Sequence, residues 1–152
     1  QREGQGTGFA MTDAPKTQPG FVPPQGVDPD GLKRLVHTFY ARVRDDDLLG
    51  PIFNREVADW PAHLDKLVGF WSSTMLKTDT YDGRPLPPHL KLPEISDAHF
   101  ARWLDLFRRT AQDTMPELGV PAITAMAERI ATSFRMAIAF HRGEDSTKIR
   151  PL

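Results

Sequence analysis

Four side chains in this 152-residue sequence carry a polar tip where apolar packing does not ask for one: Tyr40, His63, Trp103 and His89. Tyr40 and Trp103 each offer a hydrogen-bond donor from an otherwise apolar ring, and the two imidazoles can donate, accept or ligate a metal. One reading makes them ordinary. Tyr40 and Trp103 are then core aromatics whose tips reach a backbone carbonyl or the surface, and His63 is a satisfied, half-buried histidine. The other reading takes them jointly, as donors converging on a ligand held in the middle of the domain. His89 stands apart in its setting, Pro85-Leu86-Pro87-Pro88-His89-Leu90, a proline-framed run that cannot continue as a helix.

These residues need helices to position them. Asp28-Pro29 pairs a capping residue with a proline whose missing N–H costs nothing at a helix start, and Leu32, Leu35, Val36, Phe39, Tyr40 and Val43 follow at spacings of three and four. Asp45-Asp46-Asp47 and Gly50-Pro51 break that pattern, so Ile52 and Phe53 are expected on a short turn. A second helix is expected from near Asp59, with Pro61 in its first turn. It carries Trp60, His63, Leu64, Leu67, Val68, Trp71 and Met75 on one side. Residues 77–93 contain four prolines and one glycine and read as an irregular loop, long enough that such loops are usually functional or disordered. A third helix, capped by Ser96, carries Phe100, Trp103, Leu104 and Phe107. A fourth opens at Pro121, carries Ile123, Met126, Ala127, Ile130, Phe134, Ala137 and Ile138, and closes at Gly143. No stretch alternates apolar and polar residues over a strand's length. The prediction is an all-α fold of four main helices plus short turns.

Composition sets the outer bounds. The 19 Lys and Arg against 20 Asp and Glu give a formal charge of −1, with no basic cluster, so neither nucleic acid nor an anionic membrane is an expected partner. No apolar run approaches the roughly 20 residues needed to span a bilayer. A cytoplasmic protein is expected. The absence of cysteine excludes disulfides, thiolate catalysis, iron–sulfur clusters and covalent c-type haem attachment. Residues 1–27, rich in Gly, Pro, Gln and Thr, are expected to form a disordered tail, residues 28–142 the domain, and residues 143–152 a second loose tail. Met11 offers an alternative start, which would leave residues 1–10 outside the native chain.

From about Leu32 to His141 the sequence resembles the group III truncated haemoglobins. Four segments carry the resemblance: Phe39-Tyr40-Ala41-Arg42-Val43-Arg44, Leu49-Gly50-Pro51-Ile52-Phe53-Asn54, the stretch from Trp60 through His63 to Gly69-Phe70-Trp71, and Pro85-Leu86-Pro87-Pro88-His89-Leu90 with Leu92-Pro93 following. Groups I and II characteristically carry Gly-Gly hinges, and no Gly-Gly pair occurs here. The resemblance implies a shortened globin fold with helices packed two-on-two around a haem. It puts the proximal iron ligand at His89, the distal tyrosine at Tyr40, the distal-helix histidine at His63 and the distal tryptophan at Trp103.

Without cysteine such a haem is b-type, held by one axial bond, apolar burial and contacts to its propionates. Phe39, Phe53, Leu67, Phe70, Trp71, Leu86, Leu92, Trp103, Phe107, Ile130 and Phe134 are the candidate wall, each also what a cofactor-free core would contain. Arg84, Lys77 and Lys91 lie near enough to His89 in sequence to meet propionates. Of the other histidines, His37 falls off its helix's apolar stripe, His141 suits a helix C-terminus, and His99 is the rival to His89 but sits at a helix start, pointing outward. Two function classes follow. One is a haem protein binding dioxygen, nitric oxide or carbon monoxide, for oxygen binding or for redox chemistry of the nitric oxide dioxygenase or peroxidase kind with an unidentified reductase. The other is a cofactor-free helical module that binds a partner through its exposed faces. A zinc hydrolase has less support, because the five histidines show no HExxH or comparable spacing.

Overall fold

The computed structural model describes residues 17–78 and 92–152, and among them every regular element is helical. Helix α1 spans Pro29–Asp45, α2 Gly50–Glu56, α3 Trp60–Leu76, α4 Asp97–Thr114 and α5 Val120–His141, with single 3₁₀ turns at Glu117–Gly119 and Ser146–Lys148. No helix among the described residues is long and apolar enough to cross a membrane.

Helix α1 starts where a carboxylate can satisfy an orphan N–H: Asp28 accepts from Gly31 at 2.7 Å. Its apolar stripe is wholly inside, with Leu32, Leu35, Val36, Phe39 and Val43 at 1% exposure or less. Burying each of these is worth about 1.5–3 kcal/mol, which is why propensity matters less here than pattern. The helix stops at Asp46, whose Oδ2 accepts the backbone N–H groups of Leu48 and Leu49 at 3.0 and 2.9 Å while its Oδ1 accepts from Arg102 at 2.7 Å. Burial would raise the Asp46 carboxyl, but those donors outweigh it and hold the group below its ordinary range.

Ile52 and Phe53, expected on a turn, lie instead on α2, a helix of seven residues. Gly50-Pro51 does end the preceding pattern, yet a proline near a helix N-terminus is preorganised for the next helix. Helix α3 begins with the Asp59 carboxylate accepting the Ala62 N–H at 3.1 Å and ends at Lys77, whose φ of 55° is left-handed. Helix α4 opens on a capping box in which the Nδ1 of His99 accepts the Ser96 backbone N–H at 3.2 Å. Helix α5 closes in a Schellman arrangement: the Gly143 N–H reaches Phe140 O, the Glu144 N–H reaches Ala139 O, and Gly143 takes φ 79°.

Helix α1 packs on both α3 and α4, and α4 packs on α5, so the chain forms two helix pairs that meet along α1 and α4. Residues 17–27, expected from composition to be a loose tail, make packing contacts. The Gln18 N–H donates to Lys77 O at 3.2 Å, and Val27 is 5% exposed within the main core. Val27 and Leu32 occupy the flanking and fourth positions of a hydrophobic staple, an apolar pair that composition averages hide. Gly26 crosses Gly119 so closely that a Cβ on Gly119 would stand 2.3 Å from the Gly26 carbonyl oxygen.

Candidate functional site

Tyr40 is the centre of the site because α1 carries it inward with the core stripe and then surrounds it with rings. Its side chain is 5% exposed, with Phe39 at 4.7 Å, Phe53 at 5.8 Å, Trp60 at 6.2 Å and His63 at 6.3 Å between ring centroids. Burial pushes its phenol up to about 12, opposed by a side-chain hydrogen bond with Trp103. An indole N–H only donates, so any bond between the two side chains runs from Trp103 to the phenolic oxygen. Helices α1 and α4 thus bring Tyr40 and Trp103 together, and α3 adds His63, half-buried, edge-on to Tyr40 at 85°.

Behind these groups stands a column of aromatic rings. Phe39 meets Trp103 edge-on at 5.5 Å and Phe107 at 5.2 Å, while Phe107 stacks on Trp103 at 5.4 Å and on Trp71 at 5.1 Å. Phe39, Trp71 and Phe107 are fully buried, so within the described residues they back the site and make its core. Phe53, Leu67, Phe70, Leu92, Trp103, Ile130 and Phe134 are half-buried. Helix α3 is the telling element: it buries Trp60, Trp71, Met75 and Leu76 but leaves Leu64, Leu67, Val68 and Phe70 only partly covered. A helix that keeps so much apolar surface half-open beside the buried Tyr40 and the half-buried Trp103 and His63 suits a flat, apolar ligand with a polar centre. The residues present therefore fit a porphyrin on the distal side.

His89 and Leu86 lie outside the described residues, as do Arg84 and Lys91. Lys77 is described at the α3 terminus, with its ammonium 5.9 Å from the Phe21 ring centroid and its carbonyl accepting from Gln18. The Leu92 carbonyl accepts from Arg142 at 3.1 Å, which ties the start of the 92–96 stretch to the end of α5. His37 and His141 are exposed, and the His99 Nδ1 is engaged in the α4 capping box. Among the described residues no three His, Asp or Glu side chains cluster as metal ligands. Two residues beside the site were not singled out from sequence: Trp60, edge-on to His63 at 5.5 Å, and Arg44, whose guanidinium lies 4.7 Å over the Trp60 ring. The available signal was the three-residue spacing of Trp60 and His63, which puts them on one helix face.

The fold is that of a truncated globin. A crystal structure of the group III truncated hemoglobin from Campylobacter jejuni superposes with a TM-score of 0.71 at 30% sequence identity, over 77% of this chain and 95% of that one. The group 3 truncated hemoglobin of Campylobacter jejuni is 33% identical over 113 residues, covering 72% of this chain and 89% of the relative. No family model matches the sequence. The chain belongs to the group III truncated haemoglobins.

Proposed function

We propose that the protein binds one haem b through His89 and uses Tyr40, Trp103 and His63 to hold dioxygen or another diatomic ligand for oxygen binding or oxygen- and nitric oxide-related redox chemistry. A bound haem would supply an open iron coordination position for a small ligand. The chain's contribution is the polar cluster. The observation that carries the reading is the buried Tyr40 side chain, ringed by Phe39, Phe53, Trp60 and His63 with Trp103 close by. A ligand that gathers negative charge gains from a phenolic donor, whereas carbon monoxide gains little. Two or three donors on one side favour holding and activating a ligand over releasing it quickly. A reductase of unidentified kind and a cytoplasmic setting belong to the same proposal, and membership of the globins favours it over the cofactor-free module.

The decisive experiment is an absorption spectrum of the purified chain with added haem in its ferric, ferrous and carbonyl-bound forms, beside a His89→Ala variant. A one-to-one titration endpoint with a histidine-ligated Soret band is expected for the parent, and a much weaker complex, restored in part by free imidazole, for the variant. A variant that keeps the parent spectrum without imidazole overturns His89 as the ligand.

A further inference from the structure

Of the four rings packed on Tyr40, Phe39 and Trp60 are buried while Phe53 and His63 are half-buried, so among these four an approach to Tyr40 is open beside the latter two. His63 is the polar one, and one neighbour of its ring stands on its own helix. Trp60 sits three residues earlier, 9% exposed, with the two rings perpendicular at 87° and 5.5 Å apart. Tyr40 touches the imidazole on another side, also perpendicular. An imidazole held between two fixed rings loses rotamers it would otherwise sample.

Trp60 is itself fixed from three directions. The Asp59 cap and Pro61 set the backbone of the first α3 turn. The Arg44 guanidinium lies 4.7 Å over the indole, a cation–π contact that reaches from the last turn of α1. Arg44 is in turn anchored through its carbonyl, which accepts from the Asn54 side-chain amide of α2 at 3.1 Å. Helices α3 and α1 therefore meet at this indole, with α2 holding the Arg44 backbone.

We propose that Trp60, braced by Arg44, is the positioning residue for His63, setting how firmly the imidazole stands beside Tyr40 and hence how readily a small ligand reaches the hydroxyl. The proposal rests on the reading of Tyr40 and His63 as distal groups. Freeing one ordered side chain corresponds to about a 2- to 10-fold change. Trp60→Ala is thus expected to speed carbon monoxide association after flash photolysis by about that factor. Arg44→Gln, at an exposed position, should move it the same way by less, and Trp60→Phe should restore most of the parent rate.

The test has two arms. In the full chain without haem, NMR of the His63 ring protons reads the indole's ring current directly. A displaced shift in the parent that collapses toward the free-imidazole value in Trp60→Ala, and partly in Arg44→Gln, supports the proposal; an undisplaced parent shift overturns it. In the haem-loaded chain, Trp60→Ala is combined with His63→Ala. If Trp60 acts through His63, its effect vanishes in the His63→Ala background, and if the two effects simply add, Trp60 acts on its own and the proposal is overturned. Should the chain take up no haem, the proposed function fails, while the NMR arm still decides whether Trp60 governs the imidazole.

Discussion

Removing the Tyr40 hydroxyl while keeping its ring is the sharpest perturbation the site allows. Tyr40→Phe changes two things that the structure separates. The first is stability: the Trp103 N–H loses the hydroxyl near it. An orphaned buried donor costs about 1–3 kcal/mol, and because Trp103 is half-buried and water can reach it, the expected loss lies near the lower end, about 1 kcal/mol. Guanidinium unfolding of the ligand-free chain measures it. The second is ligand release. A hydrogen bond to a charged acceptor is worth about 1.5–3 kcal/mol, which at 1.36 kcal/mol per tenfold corresponds to roughly 10- to 150-fold in a dissociation rate. Stopped-flow replacement should therefore show dioxygen leaving faster by that range, with carbon monoxide release within about twofold of the parent and ferrous autoxidation faster. If both gases accelerate equally, the effect is steric and the donor role is refuted. Because Trp103 and His63 stand close enough to substitute, the Tyr40→Phe/Trp103→Phe cycle completes the test. Slow dioxygen release that persists in the double variant refutes the reasoning altogether.

Four further outcomes are expected. Because burial raises Tyr40 from 10 to about 12, the unfolded chain loses its phenolic proton first, so stability should fall as pH climbs from 10 toward 12, and Tyr40→Phe should flatten that part of a pH series of unfolding curves. Asp97 is held below its ordinary value chiefly by the hydrogen bond from Arg135, so its contribution is present above about pH 4 and is lost as pH falls through the lowered folded value; Asp97→Asn should remove this acid limb. That pair is also lopsided, a buried Arg135 side chain against a mostly exposed Asp97, and removing Asp97 strands the buried charge. Asp97→Ala should thus destabilise by about 2–3 kcal/mol, more than Arg135→Met, and equal losses in thermal melts would contradict this. Gly119→Ala places a Cβ against the Gly26 carbonyl and should cost about 1–3 kcal/mol, whereas Gly20→Ala meets no atom and costs only its left-handed φ; a larger loss at position 20 than at 119 would contradict the packing of residues 17–27.

Much of this protein could be read directly from its residues. Asp28, Asp59 and Ser96 announce three helix starts because capping is local chemistry between a side chain and the next turn, and Gly143 marks an end for the same reason. The apolar stripes on α1 and α4 follow from helix periodicity, and the family resemblance named the polar trio that the fold gathers around Tyr40. What local pattern could not settle depends on distance in sequence. The turn at Ile52 and Phe53 became a helix because Asp46, bonded to Leu48, Leu49 and Arg102, fixes the chain just before it. Residues 17–27 gained contacts because Gly119, almost a hundred positions on, leaves room for Gly26. Sequence spacing placed Tyr40, His63 and Trp103 on inward faces, but a period fixes only direction. Which tip meets which, with Trp103 beside Tyr40, Arg44 over Trp60 and Trp60 edge-on to His63, was decided by how α1, α3 and α4 pack, since only packing sets distances between side chains on different helices.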